Sequence, residues 1–549
     1  MAFKITFRKQ SGEDVTIFTA KGDNILKLIR KTDIKIDAPC SGSKTCGKCR
    51  IKLLEGTVGG SDRRHLSQDD YDKGWRLACA SFVQDDVVIY IPDTLSSLKL
   101  QVLNTDLKTI SKNNVTFKYI EEKYNIKSTN DDSQIFGLAV DLGTTTVTAI
   151  LVDLTNGKII AKADIGNSQM IYGADVIHRI IEQNKPGGII KMQKTIVNDT
   201  LLPLIQNLCD ITGITQNQIH KVTIASNTTM NHLLLGVDAN PIRLEPYVPV
   251  FLTHEPFDPE LIGLSLAQEC KIILTPNVGS YVGGDITSGT LASMIWDTSE
   301  LSVLIDLGTN GEMVFGNNEF LMTCACSAGP AFEGGSISCG QRATVGAIEA
   351  CVINTDTMEP ALKIIGNNKP TGICGSGIID IVAELYSTGI INGKGKFIRE
   401  SSRIIYDDYG TGRYILAYAE NTETGNDIFI SEIDIDNFIR AKAAVYSALI
   451  SLIEPVGYTF DDINCVKIAG GIGSGININN AIKIGMLPKV TEDKYQYIGN
   501  SSLAGAYAML VFSQANKDLS DIADNMTYLE LSAEPGYMDK FIAACFIPF

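Results

Sequence analysis

The stretch FGLAVDLGTTTVTAILVDL, residues 136–154, runs an apolar strand into Asp141, turns through Gly143, Thr144, Thr145 and Thr146, and leaves as a second apolar strand. Aliphatic and β-branched residues on both sides of the turn suit a hairpin buried on both faces. A Gly–Thr turn presents backbone N–H groups and hydroxyls to phosphate oxygens, while an aspartate before it faces a hydrated cation. LSVLIDLGTNGEMVF, residues 301–315, repeats the arrangement around Asp306, 165 residues further on, with Gly308, Thr309, Asn310 and Gly311 in the turn. A repeat at that distance predicts two similar halves facing one cleft. At 549 residues the chain has room for both halves and more.

A third element is VKIAGGIGSGININN, residues 466–480. A strand enters Gly470 and Gly471, and Gly473, Ser474 and Gly475 are expected to open a helix. Side-chain-free backbone there lets a flat purine lie close. The bland alternative is three unrelated glycine turns in an α/β protein. In this order the elements resemble the acetate and sugar kinase, Hsc70 and actin superfamily, over most of residues 135–549. The resemblance implies a duplicated ribonuclease-H-like ATPase: a phosphate-1 hairpin at Asp141, a phosphate-2 hairpin at Asp306, an adenosine motif at the glycine pair, and ATP with Mg2+ between them.

Other segments are ambiguous. In NVGSYVGGDITSG, Asp285 either positions water near the phosphates or caps the helix starting near Ile286. Asp175 and His178 of YGADVIHRI read as a helix cap and an amphipathic helix face. CACSAGPAFEGGSISCG is expected to close the nucleotide cleft, with Glu333 as a polar contact. Its Cys324, Cys326 and Cys339 would form a second metal site only with help from Cys351 or Cys374, and buried free thiols are the commoner use. TGICGSGIID places Gly375, Ser376 and Gly377 at a helix N-terminus beside the nucleotide.

At the other end of the chain, APCSGSKTCGKC sets Cys40, Cys46 and Cys49 in a C-x5-C-x2-C pattern, and Cys79 follows in WRLACAS. Four thiolates complete a 2Fe-2S cluster, two per iron. Gly42 and Gly47 allow the backbone to approach it. A zinc site is the alternative, but it usually pairs C-x2-C with a second short unit. Period-two stretches FKITFRK and DVTIFTA flank SGED as a hairpin. DNILKLIRKT is a short helix capped by Asp23 or Asn24, and CRIKLLEG and VVIYIPD supply strands. This order resembles a β-grasp ferredoxin. The expected organisation is multi-domain, α+β followed by α/β: a 2Fe-2S domain at 1–94, a linker at 95–134 with a short helix and a joint near 128–133, and ATPase halves at 135–299 and 300–549.

The net charge of −16 argues against nucleic acid, whose phosphates need a basic face. No apolar run approaches the ~20 residues that span a bilayer, and no secretory signal opens the chain. CSGSKTCGKC with LAC, VDLGTTT, SAGPAFEGG with CGSGIID, and AGGIGSG together resemble the reductive activators of corrinoid proteins. That resemblance implies a cytoplasmic homodimer that binds ATP, takes electrons from a donor, and reduces Co(II) to Co(I) in a corrinoid protein of a methyltransferase system. Activators of 2-hydroxyacyl-CoA dehydratases match only the second part of the chain. A small-molecule kinase with a redox-sensing domain is a further alternative.

Overall fold

The computed structural model describes residues 2–9, 14–32, 34, 36, 38, 42, 44, 47–60, 66, 68–92, 115–124, 135–308, 310–407, 410–471 and 475–548. Cys40, Cys46, Thr309, Gly473 and Ser474 lie outside the described residues, as does the joint expected near 128–133.

The hairpin around SGED forms as β1 (Phe3–Lys9) and β2 (Val15–Thr19), paired antiparallel. Helix α1 (Ile25–Ile29) is capped by Asn24, whose side chain accepts a bond from the Lys27 amide; Asp23, the other candidate, accepts from Thr19 and Ala20. Strands β3 (Arg50–Glu55), β4 (Trp75–Leu77) and β5 (Val87–Ile91) complete a sheet of order β2-β1-β5-β3-β4, with β1 and β5 parallel. Ile5, Phe7, Ile25, Ile29, Ile51 and Ile89 are buried together in its core.

The helix expected within the linker is α2 (Val115–Tyr124), and it is docked rather than free. Phe117, Ile120 and Tyr124 recur at helical spacing and form one face. Phe117 and Ile120 are buried, Phe117 packs 5.1 Å from the Tyr507 ring, and the Tyr124 hydroxyl donates to Asp518 at 2.7 Å.

The two halves share one topology. In the first, β6 (Phe136–Leu142), β7 (Thr146–Asp153) and β8 (Lys158–Gly166) form an antiparallel meander. Helix α3 (Val176–Gln183), capped by Asp175 as expected, follows. Then β9 (Ile219–Ser226) joins β6 in parallel, and β10 (Lys271–Leu274) joins β9, giving β8-β7-β6-β9-β10. In the second, β11 (Ser302–Leu307), β12 (Gly311–Gly316), β13 (Leu321–Cys326), β14 (Cys465–Ala469) and β15 (Tyr495–Gly499) give β13-β12-β11-β14-β15 with the same directions. A further strand, β16 (Met526–Leu529), extends the second sheet beyond β13.

Each fifth strand leads to a helix, α4 (Gly284–Ser293) in the first half and α7 (Ser501–Val511) in the second; α5 (Gly375–Ser387) and α6 (Ile478–Lys483) lie between them in the chain. Helices α4 and α7 cross in close contact: a Cβ at Gly505 would sit 2.3 Å from the Ser288 carbonyl oxygen, so only glycine fits. Ala139, Ala225 and Ile286 share a core with Leu304, Leu503 and Tyr507, which joins the halves at their base. Thr223 and Lys221 of β9 add bonds to the carbonyls of Ala506 (2.8 Å) and of Met509 and Leu510 (both 3.0 Å). Among the described residues, no helix is long and apolar enough to cross a membrane.

Candidate functional site

A cavity of about 580 Å3 lies where the β6–β7 and β11–β12 turns meet the N-terminal ends of α4, α5 and α7. Asp141, Gly143, Thr144, Thr145, Thr146, Asp285, Asp306, Gly308, Asn310, Gly470 and Gly471 all line it, so residues from the three sequence elements converge. Cys374, Gly375 and Ser376 line it as well, from the start of α5. Phe332 brings the AGPAFEGG loop to its wall, whereas the Glu333 side chain lies outside what is described.

One expectation is corrected. Gly311, placed in the second turn, does not line the cavity: it opens β12 with its α-carbon against the Cys326 thiol, where a Cβ would come within 2.9 Å of sulfur. It is a packing glycine. The helix expected to open at Gly473, Ser474 and Gly475 falls largely outside the described residues; α6 opens at Ile478, capped by Asn477, whose side chain accepts from the Asn480 amide.

The phosphate-1 turn is braced from behind. Asn167 donates its amide to the Gly143 carbonyl at 2.9 Å and its backbone N–H to the Thr145 carbonyl at 2.8 Å. The fully buried Arg179 donates to the Thr144 carbonyl, and Asn227 to the Thr144 hydroxyl at 2.9 Å. The carbonyls of Gly143, Thr144 and Thr145 are thus engaged by the protein, which fixes the shape of the turn.

The carboxylates differ in their company. Asp141 accepts from Asn500 at 2.8 Å and Ser502 at 3.0 Å, both reaching over from the second half. Burial raises its pKa and those two bonds oppose the rise. Asp285 is not the helix cap, a position held by Gly283; it sits in the first turn of α4, its side chain accepting from the Ile286 amide at 2.9 Å. Burial, with the Asp141 and Asp306 charges, pushes it up to about 7. Asp306 is pushed up to about 7 by burial and the Asp141 charge.

Sequence reasoning missed Glu312. It pairs directly across the hairpin from Asp306, lines the cavity, and is raised well above the usual range by burial and then by Asp285 and Asp306. The even spacing of Asp306 and Glu312 about the turn was the available signal. Asn500 was also missed, although Asn before SSLAGAYAML is a helix-cap pattern, and it does cap α7.

With Glu349 counted, five carboxylates among the described residues line the cavity against one cationic side chain, Arg342. Such a wall repels bare polyphosphate and suits it only with a cation between. Among the described residues, no three His, Cys, Asp or Glu groups come together as a metal cage. The thiols of Cys324, Cys339 and Cys374 point to separate carbonyls, those of Ala448, Asp427 and Ile348.

The second site is in the N-terminal domain. The β3–β4 pairing sets Arg50 opposite Leu77, which brings Cys49 beside the turn holding Cys79. The Cys79 amide lies 3.4 Å from the Cys49 sulfur as a donor, and Asn24 ties down the Cys79 carbonyl at 2.9 Å. Gly42 adopts φ +98°, and a Cβ there would lie 3.9 Å from that of Cys79 and press on Leu26 at 3.3 Å. Buried thiols with an amide donor to sulfur and a glycine-lined approach fit an iron–sulfur cluster.

Residues 300–549 match a family model described as the C-terminal ASKHA domain of RACo, and residues 136–298 match the RACo middle region. The chain belongs to the RACo family. Residues 9–84 match the 2Fe-2S iron–sulfur cluster binding domain. The chain is 31% identical over 427 residues to the corrinoid activation enzyme RamQ of Eubacterium limosum, covering 76% of this chain and 71% of that protein. It is 24% identical over 431 residues to the Co(II) methylated amine-specific corrinoid protein reductase of Methanosarcina barkeri, covering 72% and 73%. A solved structure of a reductive activator for corrinoid, iron–sulfur protein aligns over 100% of this chain and 98% of its own, with 35% identity and a TM-score of 0.71. This chain thus joins a match to the 2Fe-2S domain with matches to the RACo middle region and the ASKHA domain.

Proposed function

We propose that this protein is an ATP-dependent reductive activator that returns a corrinoid protein from Co(II) to Co(I) for methyl transfer. The observation that carries the reading is the union, in one chain, of an iron–sulfur domain with an acidic cleft between two matched α/β halves. The relatives' names supply the class of electron acceptor.

Cys40, Cys46, Cys49 and Cys79 would hold the cluster, which supplies one low-potential electron when bound. Asp141, Asp285 and Asp306 would hold hydrated Mg2+ against the phosphates, which receive donors from Gly143, Thr144, Thr145, Thr146, Gly308, Thr309 and Asn310. Gly470, Gly471, Gly473 and Ser474 would border the purine. At Gly470, φ is +93° and a Cβ would strike Leu307 O at 2.4 Å and Asp306 Oδ1 at 2.9 Å, so this glycine keeps Asp306 in place.

Plant-type 2Fe-2S centres lie near about −400 mV, and each tenfold unfavourable ratio costs about 59 mV for one electron. Co(II) would take one electron from the cluster held by the four cysteines and become Co(I), a separate donor would replace that electron, and ATP and water would give ADP and phosphate. Nucleotide assists only by differing in its contacts with open and closed states. The crossing of α4 and α7 is the joint about which the halves would close, and closure would reshape the docked corrinoid site. The reading includes domain limits at 1–94, 95–134, 135–299 and 300–549, a cytoplasmic location and a homodimer. The C-terminal helix Tyr537–Ala544, with exposed Met538 and Ile542, is a candidate face for the dimer.

The test is anaerobic mixing of the reduced protein with Co(II) corrinoid proteins while the Co(I) absorption band is followed. The reading expects Co(I) with ATP and little without it; equal yields refute the coupling.

A further inference from the structure

Arg342 is the cavity's one lining cation among the described residues, and no catalytic motif in the sequence drew attention to it. It comes from the second half, yet its guanidinium ends at the first half. Nη2 lies 3.4 Å from the Thr145 carbonyl, in the phosphate-1 turn, and 3.6 Å from the Met170 sulfur. Among the described residues these are its side-chain hydrogen-bond contacts, and both are long.

Its mooring is firm where its tip is loose. The Gln341 amide donates to the Ile373 carbonyl and the Ile373 amide to the Cys339 carbonyl, both at 2.8 Å. The Thr344 amide donates to the carbonyl of Arg342 itself at 2.8 Å. The backbone therefore belongs to the second half, while the charged end spans the cleft.

Arg179 makes the contrast. It too bonds a turn carbonyl, that of Thr144, but it is fully buried and also bonds Gly173 O at 3.0 Å and Gln169 Oε1 at 3.2 Å. Arg179 is a fixed brace. Arg342 faces a wall of five carboxylates and forms no ion pair with any of them among the described residues. A planar guanidinium with donors to spare matches phosphate oxygens in two-point contact.

We infer that Arg342 reaches across the cleft to bind the terminal phosphate of a nucleoside triphosphate. The inference rests on the nucleotide-binding reading above and adds the group that tells triphosphate from diphosphate. When the terminal phosphate is present, Arg342 exchanges its long contact with Thr145 for phosphate oxygens; when it is absent, the contact with Thr145 remains. The link across the cleft thereby changes from a long contact with a carbonyl to a charge-assisted one with phosphate. No covalent bond forms to Arg342.

The experiment uses the full, iron-replete chain and measures equilibrium binding of Mg–ADP and of the non-hydrolysable Mg–AMP-PNP. Arg342→Ala is expected to weaken Mg–AMP-PNP about 10- to 100-fold, the range of a lost charge-assisted contact, and Mg–ADP by no more than about 3-fold. Arg342→Lys should fall between, because a point charge replaces a two-point donor. The visible cluster spectrum and thermal midpoint report that the variants fold. Equal weakening of both nucleotides, or no weakening of either, overturns the inference while nucleotide binding by the parent chain stands. A parent chain that binds neither nucleotide overturns the nucleotide reading itself.

Discussion

The two halves of the ATPase-like body have the same five-strand order and place an aspartate at the same point of the same hairpin, yet the aspartates differ in their immediate partners. Asp141 is met by neutral donors, Asn500 and Ser502, from the start of α7. Across its hairpin Asp141 faces Thr148 whereas Asp306 faces Glu312, and the Asp285 carboxylate at the start of α4 acts on both aspartates. Asp285 and Ser502 hold matching places, each the second residue of its helix. Duplication supplied the frame, and a Thr/Glu difference opposite the aspartate makes the second hairpin the more acidic one. The lesson is that topology repeats while electrostatics diverges.

The comparison breaks most sharply at the three aspartates. Asp306→Asn and Asp285→Asn should each lower Mg–ATP turnover by about 100- to 1000-fold, the scale of losing one electrostatic group in a preorganised site. Asp141→Asn should abolish turnover as well and leave the cluster spectrum intact, since the sites are in separate domains. Turnover assays alongside visible spectra check both statements. Loss of spectrum with turnover would show instead that the domains do not fold independently.

Next in size is the joint. Gly505→Val forces a side chain onto the backbone of Ser288, and overpacking of this kind costs about 1–3 kcal/mol or more. Thermal unfolding should show a lowered midpoint, and nucleotide should recover less of it than in the parent.

The acidic cluster also predicts a pH dependence. The unfolded carboxyls titrate near 3.8 and the folded Asp285 and Asp306 near 7. Between these values the folded state holds more protons, so stability without metal or nucleotide should fall as pH rises from about 4 to 7 and then level off. Mg–nucleotide, which needs the ionised form, should bind more tightly as pH rises through that range. Asp306→Asn should flatten the stability slope in denaturant titrations.

The smallest effect belongs to the neutral side. Ser502→Ala removes one of two bonds to Asp141 and should cost about 1 kcal/mol in denaturant unfolding, with turnover changed only a few-fold.

Much of this was legible in the sequence because the hairpins are local. An apolar strand, Asp141, a glycine turn and a second strand specify their own pairing, as do Ile5 and Ile17 about SGED. The matched topology followed from the 165-residue repeat. What could not be read was who faces whom across the cleft. Asn500, Ser502 and Arg342 lie roughly 200 to 360 residues from the groups they touch, and no periodicity records such a meeting. Gly311 misled because a glycine in a phosphate-like turn and a glycine packed on a thiol look alike in one dimension. The docking of α2 was half-visible in the spacing of Phe117, Ile120 and Tyr124, but its partner, α7, lies far along the chain.

The most direct test of the account is calorimetric titration of the iron-replete chain with ATP, with Mg2+ present and with Mg2+ chelated. An acidic cleft that grips phosphate through a cation should bind about one Mg–ATP per chain and bind metal-free ATP far more weakly. No heat from either titrant, or equal affinity with and without Mg2+, would contradict it.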